Sequence, residues 1–333
     1  MPTVVDRFAG AAGIVTAVLA LSGCSSAAGS VNPLAGPAGL TGTAASSTAI
    51  RGSGPCPKAA IFTADASGNA IDIYPLRGQS QPMCGQITSG VSGAGGLAAD
   101  AAGHLYVALT AASRVVELAG PYPPGHVVRT ISDAGGYPSI AAVSPSGLVA
   151  IINLCSAPSC GNGDVAFYRK GATSPCAVVS SAIFARPYFG AFDAGDNLYL
   201  DAADSSGGTL VGEISGGCKA TTVANLDVPG IAFPGGVAVD TKGNIAIADQ
   251  VSSQLDVFAP GNFGKPKFTV SLQPGGDYAT FVFEQSGMRI WTANAASASA
   301  EEFTYPGGGR QIDTVGSGVS ASIAVMPAEV PGS

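Results

Sequence analysis

Residues 235–250 read GGVAVDTKGNIAIADQ, and this stretch decides the fold. Two short apolar runs, GGVAV and IAIAD, lie on either side of the polar turn TKGN. Runs of this length that are bounded by Gly, Asn and Asp are typical of buried strands joined in a hairpin. The first run is followed by Asp240, and the second ends on Asp249.

The hairpin recurs along the chain every 44 to 49 residues. Its other copies lie at 95–109, 139–153, 188–202 and 280–294, where Asp100, Ser144, Asp193 and Glu284 take the position of Asp240. A period of ~40–50 residues with short alternating strands is typical of four-stranded propeller blades. The repeat therefore predicts an all-β propeller, in which each copy is the inner hairpin of one blade.

The two ends of the repeat region predict the number of blades. AIFTAD at 60–65 matches a second strand, but no inner strand precedes it. ASIAVM at 321–326 matches an inner strand, but nothing pairs with it downstream. We therefore expect a six-bladed β-propeller over residues 58–327, with the C-terminal strand completing the first blade and removing exposed sheet edges.

The repeated pattern G-x-A-x-D-x-x-G-N resembles that of NHL-repeat propellers. It is also similar to the wider group of gluconolactonase-like and streptogramin lyase-like six-bladed propellers. This resemblance covers residues 58–327 and implies a fold rather than an activity, because the repeated residues are structural. In the gluconolactonase-like enzymes, a central opening holds a metal with carboxylate and amide oxygens.

The N-terminus resembles that of a bacterial lipoprotein. Arg7 precedes an apolar run at 8–21, which is too short to cross a bilayer and has the length of a signal-peptide core. LSGC at 21–24 resembles a lipobox, which implies a signal peptide at 1–23 and a lipid on Cys24. The alternative is an ordinary cleaved signal with an incidental cysteine. Residues 24–57, rich in Ser, Ala, Gly and Pro, read as a flexible tether, and 328–333 as a short tail.

Six cysteines remain after Cys24. They are Cys56, Cys84, Cys155, Cys160, Cys176 and Cys218. An even number in an exported chain indicates disulfides, and six cysteines allow 15 pairings. Cys155 and Cys160 are the easiest local pair. Zinc is the other interpretation, but the sequence has no CxxC motif and only two histidines.

Composition excludes nucleic acid as a partner. The net charge is −7, and the 15 basic residues are scattered rather than clustered. Phosphate recognition requires clustered cations, so a binding surface for DNA or RNA is not expected.

Three groups of polar residues are candidates for a site. The acids at the first turn, such as Asp240, are expected to shape that turn by accepting backbone N–H groups. Asp201 and Asp204 in the fourth blade could join a calcium site. A further set lies at or next to the ends of second strands, on the face where a central opening would lie, and could either hold a metal ion there or only cap the strand ends and contact solvent. Its members are Asp65, Asn153, Asp249 and Asn294.

These observations lead to three hypotheses of function. The first is a cell-envelope lipoprotein that faces the periplasm or the cell surface and binds an unidentified protein, glycan or small molecule on its top face. The second is a metal-dependent hydrolase or lactonase, with calcium as the candidate cation. The third is a structural envelope lipoprotein. The sequence favours binding over catalysis, because it has no GxSxG elbow or P-loop, and His104 and His126 show no evident partner.

Overall fold

The computed structural model describes residues 56–65, 69–76, 81–133, 135–156, 159–316 and 318–327. The predicted signal peptide, Cys24, nearly all of the tether and the C-terminal tail lie outside these ranges. Among the described residues, no helix is long and apolar enough to cross a membrane. The only helical segments among them are two 3-10 turns, Thr110–Ala112 and Gly217–Lys219.

The described chain forms six antiparallel sheets of four strands each, and each sheet is one blade. Blade 1 begins with β1 (Ala60–Asp65), β2 (Ile71–Pro75) and β3 (Gly85–Ile87). Blade 2 contains β4 (Ala94–Ala99), β5 (His104–Leu109), β6 (Arg114–Ala119) and β7 (His126–Ser132). Blade 3 contains β8 (Gly136–Val143), β9 (Val149–Ser156), β10 (Asp164–Tyr168) and β11 (Ala177–Ser180).

The last three blades follow the same order from the inside outward. Blade 4 contains β12 (Arg186–Phe192), β13 (Leu198–Ala203), β14 (Thr209–Ile214) and β15 (Ala224–Asn225). Blade 5 contains β16 (Pro234–Val239), β17 (Ile245–Asp249), β18 (Gln254–Phe258) and β19 (Phe268–Ser271). Blade 6 contains β20 (Tyr278–Phe283), β21 (Arg289–Asn294), β22 (Ser299–Thr304) and β23 (Gln311–Val315). The remaining strand is β24 (Val319–Met326).

The C-terminal strand closes the ring as the sequence predicts. β24 is the innermost strand of blade 1 and pairs antiparallel with β1, with Ala60 opposite Met326. It also reaches the next blade, because Oγ of Ser322 accepts a 2.7 Å hydrogen bond from the backbone N–H of Leu97. The six-bladed β-propeller is therefore confirmed, and its first blade is assembled from both ends of the described chain.

The core consists of six apolar clusters, one at each interface between neighbouring blades of the described chain. The inner strands are buried on both faces, which explains why their sequences are apolar at nearly every position. Small residues let these strands approach closely near the axis. A Cβ on Gly236 would lie 3.1 Å from the backbone nitrogen of Phe281 in the next blade, so a larger side chain would push blades 5 and 6 apart.

The first turns of blades 4 and 5 owe their shape to local hydrogen bonds. Oδ1 of Asp240 accepts the backbone N–H groups of Lys242 at 2.9 Å and Asn244 at 2.8 Å. Gly243 completes this turn at a φ of 75°, a conformation that glycine adopts without strain. Asp193 accepts backbone N–H groups in the same way in blade 4. The acids of these two turns thus have the structural role expected for them.

The six cysteines among the described residues are all paired. The disulfides join Cys56 to Cys84, Cys155 to Cys160 and Cys176 to Cys218. The first lies within the outer part of blade 1, and the second closes the loop after β9. The third links the loop before β11 to the loop after β14, and so joins blades 3 and 4.

Candidate functional site

The propeller has two faces with different connections. The turn face carries the first turns at 100–103, 144–147, 193–196, 240–243 and 284–288, together with the loops from third to fourth strands. The loop face carries the second-to-third-strand loops, such as 250–253, and the connections between blades, such as 226–233. Every strand runs from one face to the other, so residues at the two ends of a strand cannot share one small site.

The channel along the propeller axis is apolar. It contains a cavity of about 160 Å³, lined by inner strands of all six blades. Its lining includes Ala98, Ala142, Ala191, Ala238 and Val282, which occupy the same position in five successive blades. None of the described residues that line this cavity carries an ionisable side chain. The channel wall can therefore contact an apolar group but does not itself offer the oxygen ligands that calcium requires.

Asp249 and Asn294 lie at equivalent ends of second strands and organise the loops beside them. Oδ1 of Asp249 accepts the backbone N–H groups of Phe233 at 3.2 Å and Val251 at 3.1 Å. Oδ1 of Asn294 likewise accepts the backbone N–H group of Asp277 at 3.1 Å. Each side chain thus connects the start of an inner strand to the loop that follows the second strand, which is the loop-shaping role weighed against metal binding.

Asp65 and Asp201 lie in different surroundings. Asp65 ends β1 and is opposite Val319 of β24. Asp201 is fully buried in β13, and its Oδ1 accepts the backbone N–H group of Phe189 at 2.9 Å. Its Oδ2 has no hydrogen-bond partner, and burial raises the pKa of this carboxyl well above its ordinary value. The structure therefore favours a neutral carboxyl at Asp201 rather than a charged ligand.

Asp204, the suggested companion of Asp201, is used by its own loop. Oδ1 of Asp204 accepts hydrogen bonds from the Ser206 hydroxyl at 2.6 Å and from the Gly208 backbone at 2.9 Å. These bonds lower the pKa of Asp204, so the carboxyl is charged and already satisfied. Among the described residues, no group of three or more His, Cys, Asp and Glu side chains is arranged to hold a metal ion.

Asn153 belongs to a buried polar chain in blade 3. Its Nδ2 donates a 2.8 Å hydrogen bond to Asp164, and Tyr168 donates one of 3.0 Å to Oδ1 of Asp133. Oδ1 of Asn153 and Oδ2 of Asp133 have no hydrogen-bond partner. Both oxygens lie next to Gly136, because a Cβ on that glycine would be no more than 2.5 Å from either of them. Burial raises the pKa of Asp133 and of Asp164. An amide has donors at one end only, so a proton on Asp133 would supply the donor that Oδ1 of Asn153 lacks.

The structure corrects the expectation that His104 has no partner. Nδ1 of His104 is 2.7 Å from Oε1 of Glu117, and Oε2 of Glu117 accepts a 2.5 Å hydrogen bond from Nε of Arg129. These residues face one another because the register places Tyr106 opposite Glu117 and Glu117 opposite Arg129. They were missed because the partners are 12 and 13 residues apart on different strands. Only an accurate strand register would have revealed them.

This network forms the floor of a cleft between blades 2 and 3 on the turn face. The cleft has a volume of about 250 Å³. We call it the polar cleft and define it by Asp100, His104, Glu117, Arg129 and Lys170, which line it together with small residues of the first turns. Glu117 and Arg129 are almost fully buried there, with side-chain exposures of 7% and 9%.

A second feature, on the loop face, is apolar. The ring of Phe233 is 39% exposed and lies 6.4 Å from the ring of Tyr188. Val251 is 71% exposed, and its backbone N–H shares Oδ1 of Asp249 with that of Phe233. The backbones of Phe233 and Val251 therefore meet at Asp249, and the ring of Tyr188 neighbours that of Phe233; we call these three residues the loop-face patch. Asp249 fixes the backbone of Phe233 and Val251 through these two hydrogen bonds.

Comparison with known proteins supports the fold. No protein-family model and no curated protein matches the sequence. A chain from the crystal structure of a nidogen/laminin complex is similar, with 14% identity, a TM-score of 0.64, and 81% of this chain and 99% of that chain covered. A protein of unknown function from Bacteroides caccae is similar at 12% identity and a TM-score of 0.60, with 82% and 100% covered. Virginiamycin B lyase from Staphylococcus aureus is similar at 10% identity and a TM-score of 0.51, with 78% of this chain and 82% of that chain covered.

At these identities the likeness shows the fold alone. The chain is a six-bladed β-propeller that fits the expected resemblance to NHL-repeat propellers, with disulfides in its described part.

Proposed function

We propose that this protein is a cell-envelope binding module, held at the membrane by a lipid on Cys24, whose propeller binds a protein partner through the loop-face patch. The observation that carries the proposal is the exposure of Phe233 and Val251 on a backbone fixed by Asp249. Exposed apolar side chains on a rigid frame lose little conformational entropy when a partner covers them.

The composition of the patch matches the centre of a protein interface. Aromatic residues and arginine are enriched at such interfaces, while lysine and acids are depleted. Tyr188 and Phe233 supply the aromatic surface, and Arg186 is exposed two residues before Tyr188 on the same strand. The similar chain from the nidogen/laminin complex comes from a protein complex, which supports a protein as the partner of a propeller of this kind.

Site-specific photo-crosslinking in the native envelope tests the partner. We would place a benzophenone amino acid at Phe233 and, as a matched control on the turn face, at Met288, which is 61% exposed. The expected result is one discrete crosslinked protein from position 233 that is absent from position 288, and its loss in a Val251→Ser background. Equal products from both positions, or none from position 233, would contradict the proposal.

The anchor is tested separately. A Cys24→Ser chain should lose the mass of the lipid and move from the membrane fraction to the soluble fraction, while its propeller unfolds at the same temperature. Unchanged membrane association in this variant would contradict anchoring through Cys24 and would leave the test of the loop-face patch intact.

A further inference from the structure

The polar cleft is on the face opposite the loop-face patch, so its role is independent of the proposed protein partner. Its floor is a charged pair that is fixed in place. Oε2 of Glu117 binds Nε of Arg129, and Nη1 of Arg129 donates a 2.6 Å hydrogen bond to the backbone carbonyl of Ala172 in blade 3. A buried ion pair contributes little net stability, because desolvation offsets the attraction between the charges. A preorganised charged floor beneath an open cleft is instead typical of a binding site.

Three polar groups in this cleft are available to bind a ligand. A carboxylate can only accept, so the 2.7 Å contact with Glu117 places the ring hydrogen of His104 on Nδ1. In the neutral ring Nε2 is then an acceptor, and it has no partner among the described residues. Lys170 is exposed at the rim, and its ammonium group likewise has no partner among them. Oδ2 of Asp100 receives a long, 3.4 Å hydrogen bond from Tyr106 and lies 3.6 Å from Nδ1 of His104, so it can still accept a hydrogen bond from a ligand.

The walls of the cleft are small and largely apolar. Ala99, Ala102, Val143 and Pro145 line it beside the polar floor. Its volume of about 250 Å³ corresponds to roughly eight water molecules, which suits one sugar-sized ligand and is too small for a folded partner. A free cation, two oxygen or nitrogen atoms that can accept a hydrogen bond, and apolar walls together match a ring that carries a carboxylate, hydroxyl groups and C–H faces.

We propose that the polar cleft binds a monosaccharide acid, such as a uronic acid, either free or as a residue of an acidic glycan. Lys170 pairs with the carboxylate, and Nε2 of His104 and Oδ2 of Asp100 accept hydrogen bonds from ring hydroxyls. Glu117 is a positioning residue, because its two carboxylate oxygens make short contacts that hold His104 and Arg129.

Calorimetric titration of the full-length, disulfide-bonded protein with D-glucuronate, D-galacturonate and D-glucose tests this assignment. We expect saturable binding of at least one uronate and at least tenfold weaker binding of glucose, because glucose lacks the carboxylate. The Lys170→Met variant should weaken uronate binding at least tenfold with an unchanged unfolding temperature, since Lys170 is exposed. Lys242→Met is the matched control, because Lys242 is exposed on the first turn of blade 5 and does not line the cleft.

Three results would overturn the proposal. They are the absence of binding by either uronate, equal binding of glucose, and equal losses in the Lys170 and Lys242 variants. A short acidic oligosaccharide distinguishes the two sources of the ligand. Binding of the oligosaccharide as tight as that of the free acid indicates a glycan residue, whereas exclusion of the oligosaccharide indicates a free sugar acid. None of these results depends on the crosslinking experiment at Phe233.

Discussion

The hydroxyl of Tyr305 donates a 2.8 Å hydrogen bond to Oδ2 of Asp240, a residue 65 positions earlier in the chain. Asp240 closes the first turn of blade 5, whereas Tyr305 directly follows β22 of blade 6. The same carboxylate therefore shapes a turn within its own blade and receives a bond from the next blade. Blades 5 and 6 are thus joined by a buried polar contact as well as by their apolar interface.

The Tyr305→Phe variant tests the strength of this contact. It keeps the ring, which packs 4.7 Å from that of Phe283, and removes the hydroxyl that donates to Asp240. We expect a loss of about 2 kcal/mol in the free energy of unfolding, measured by urea denaturation. Tyr137→Phe is the control, because the Tyr137 hydroxyl has no hydrogen-bond partner among the described residues, and its change should stay within ~0.5 kcal/mol. Equal effects of the two variants would show that the contact adds nothing.

The disulfides should differ in their contribution to stability. Cys176 and Cys218 are 42 residues apart, whereas Cys155 and Cys160 are 5 apart. A longer closed loop restricts the unfolded chain more. Replacing Cys176 and Cys218 by serine should therefore reduce the free energy of unfolding by about 2 kcal/mol more than replacing Cys155 and Cys160. Chemical denaturation of the two double variants measures this difference. A larger loss for the short loop would contradict the entropic explanation.

The closing strand should be indispensable. A chain that ends at Gly318 lacks β24, so β1 becomes an exposed edge and the Leu97 N–H loses Ser322. We expect this chain to aggregate or to unfold without a cooperative transition, as followed by near-ultraviolet circular dichroism and limited proteolysis. A chain that ends at Pro327 retains β24 and is the control. Cooperative melting of the shorter chain at the normal temperature would disprove the closure role.

Asp133 should make the propeller less stable as the pH rises. Burial raises the pKa of this carboxyl in the folded state above its ordinary value of 3.8. The folded state therefore gains stability from the bound proton below pH ~4, and this gain is lost as the pH rises through the pKa of the folded state. In Asp133→Asn, the amide keeps an acceptor for Tyr168 and can donate to the unpaired Oδ1 of Asn153. We expect the variant to be more stable by roughly 1–2 kcal/mol at pH 8 and equal to the parent near pH 3. Thermal melts at both pH values measure this, and a variant that is less stable at pH 8 would show that Asp133 is needed as a charge.

The sequence predicted the fold because the hairpin that contains Asp240 repeats at a nearly constant period. The position of AIFTAD at 60–65 and ASIAVM at 321–326 then fixed the closure, which β1 and β24 confirm. The even cysteine count likewise predicted disulfides, and the nearest pair, Cys155 and Cys160, is confirmed. These features are local or periodic, so each can be recognised from the residues of a single strand, turn or loop.

The candidate sites could be predicted only in part. Asp249 was placed at the correct end of its strand, but the sequence did not show that its oxygens are occupied by the backbone N–H groups of Phe233 and Val251. The polar cleft was not predicted at all. His104 looked isolated because its partner Glu117 lies on the next strand and Arg129 on the one after that.

By itself, then, the sequence determined the blade, the number of blades and the pool of cysteines. The tertiary structure alone decided that Cys176 pairs with Cys218, that Tyr305 reaches Asp240, and that His104 meets Glu117. The physical reason is register: sliding one strand by a single residue turns its side chains to the opposite face of the blade. That choice depends on packing among all six blades at once, and no single stretch of the chain contains it.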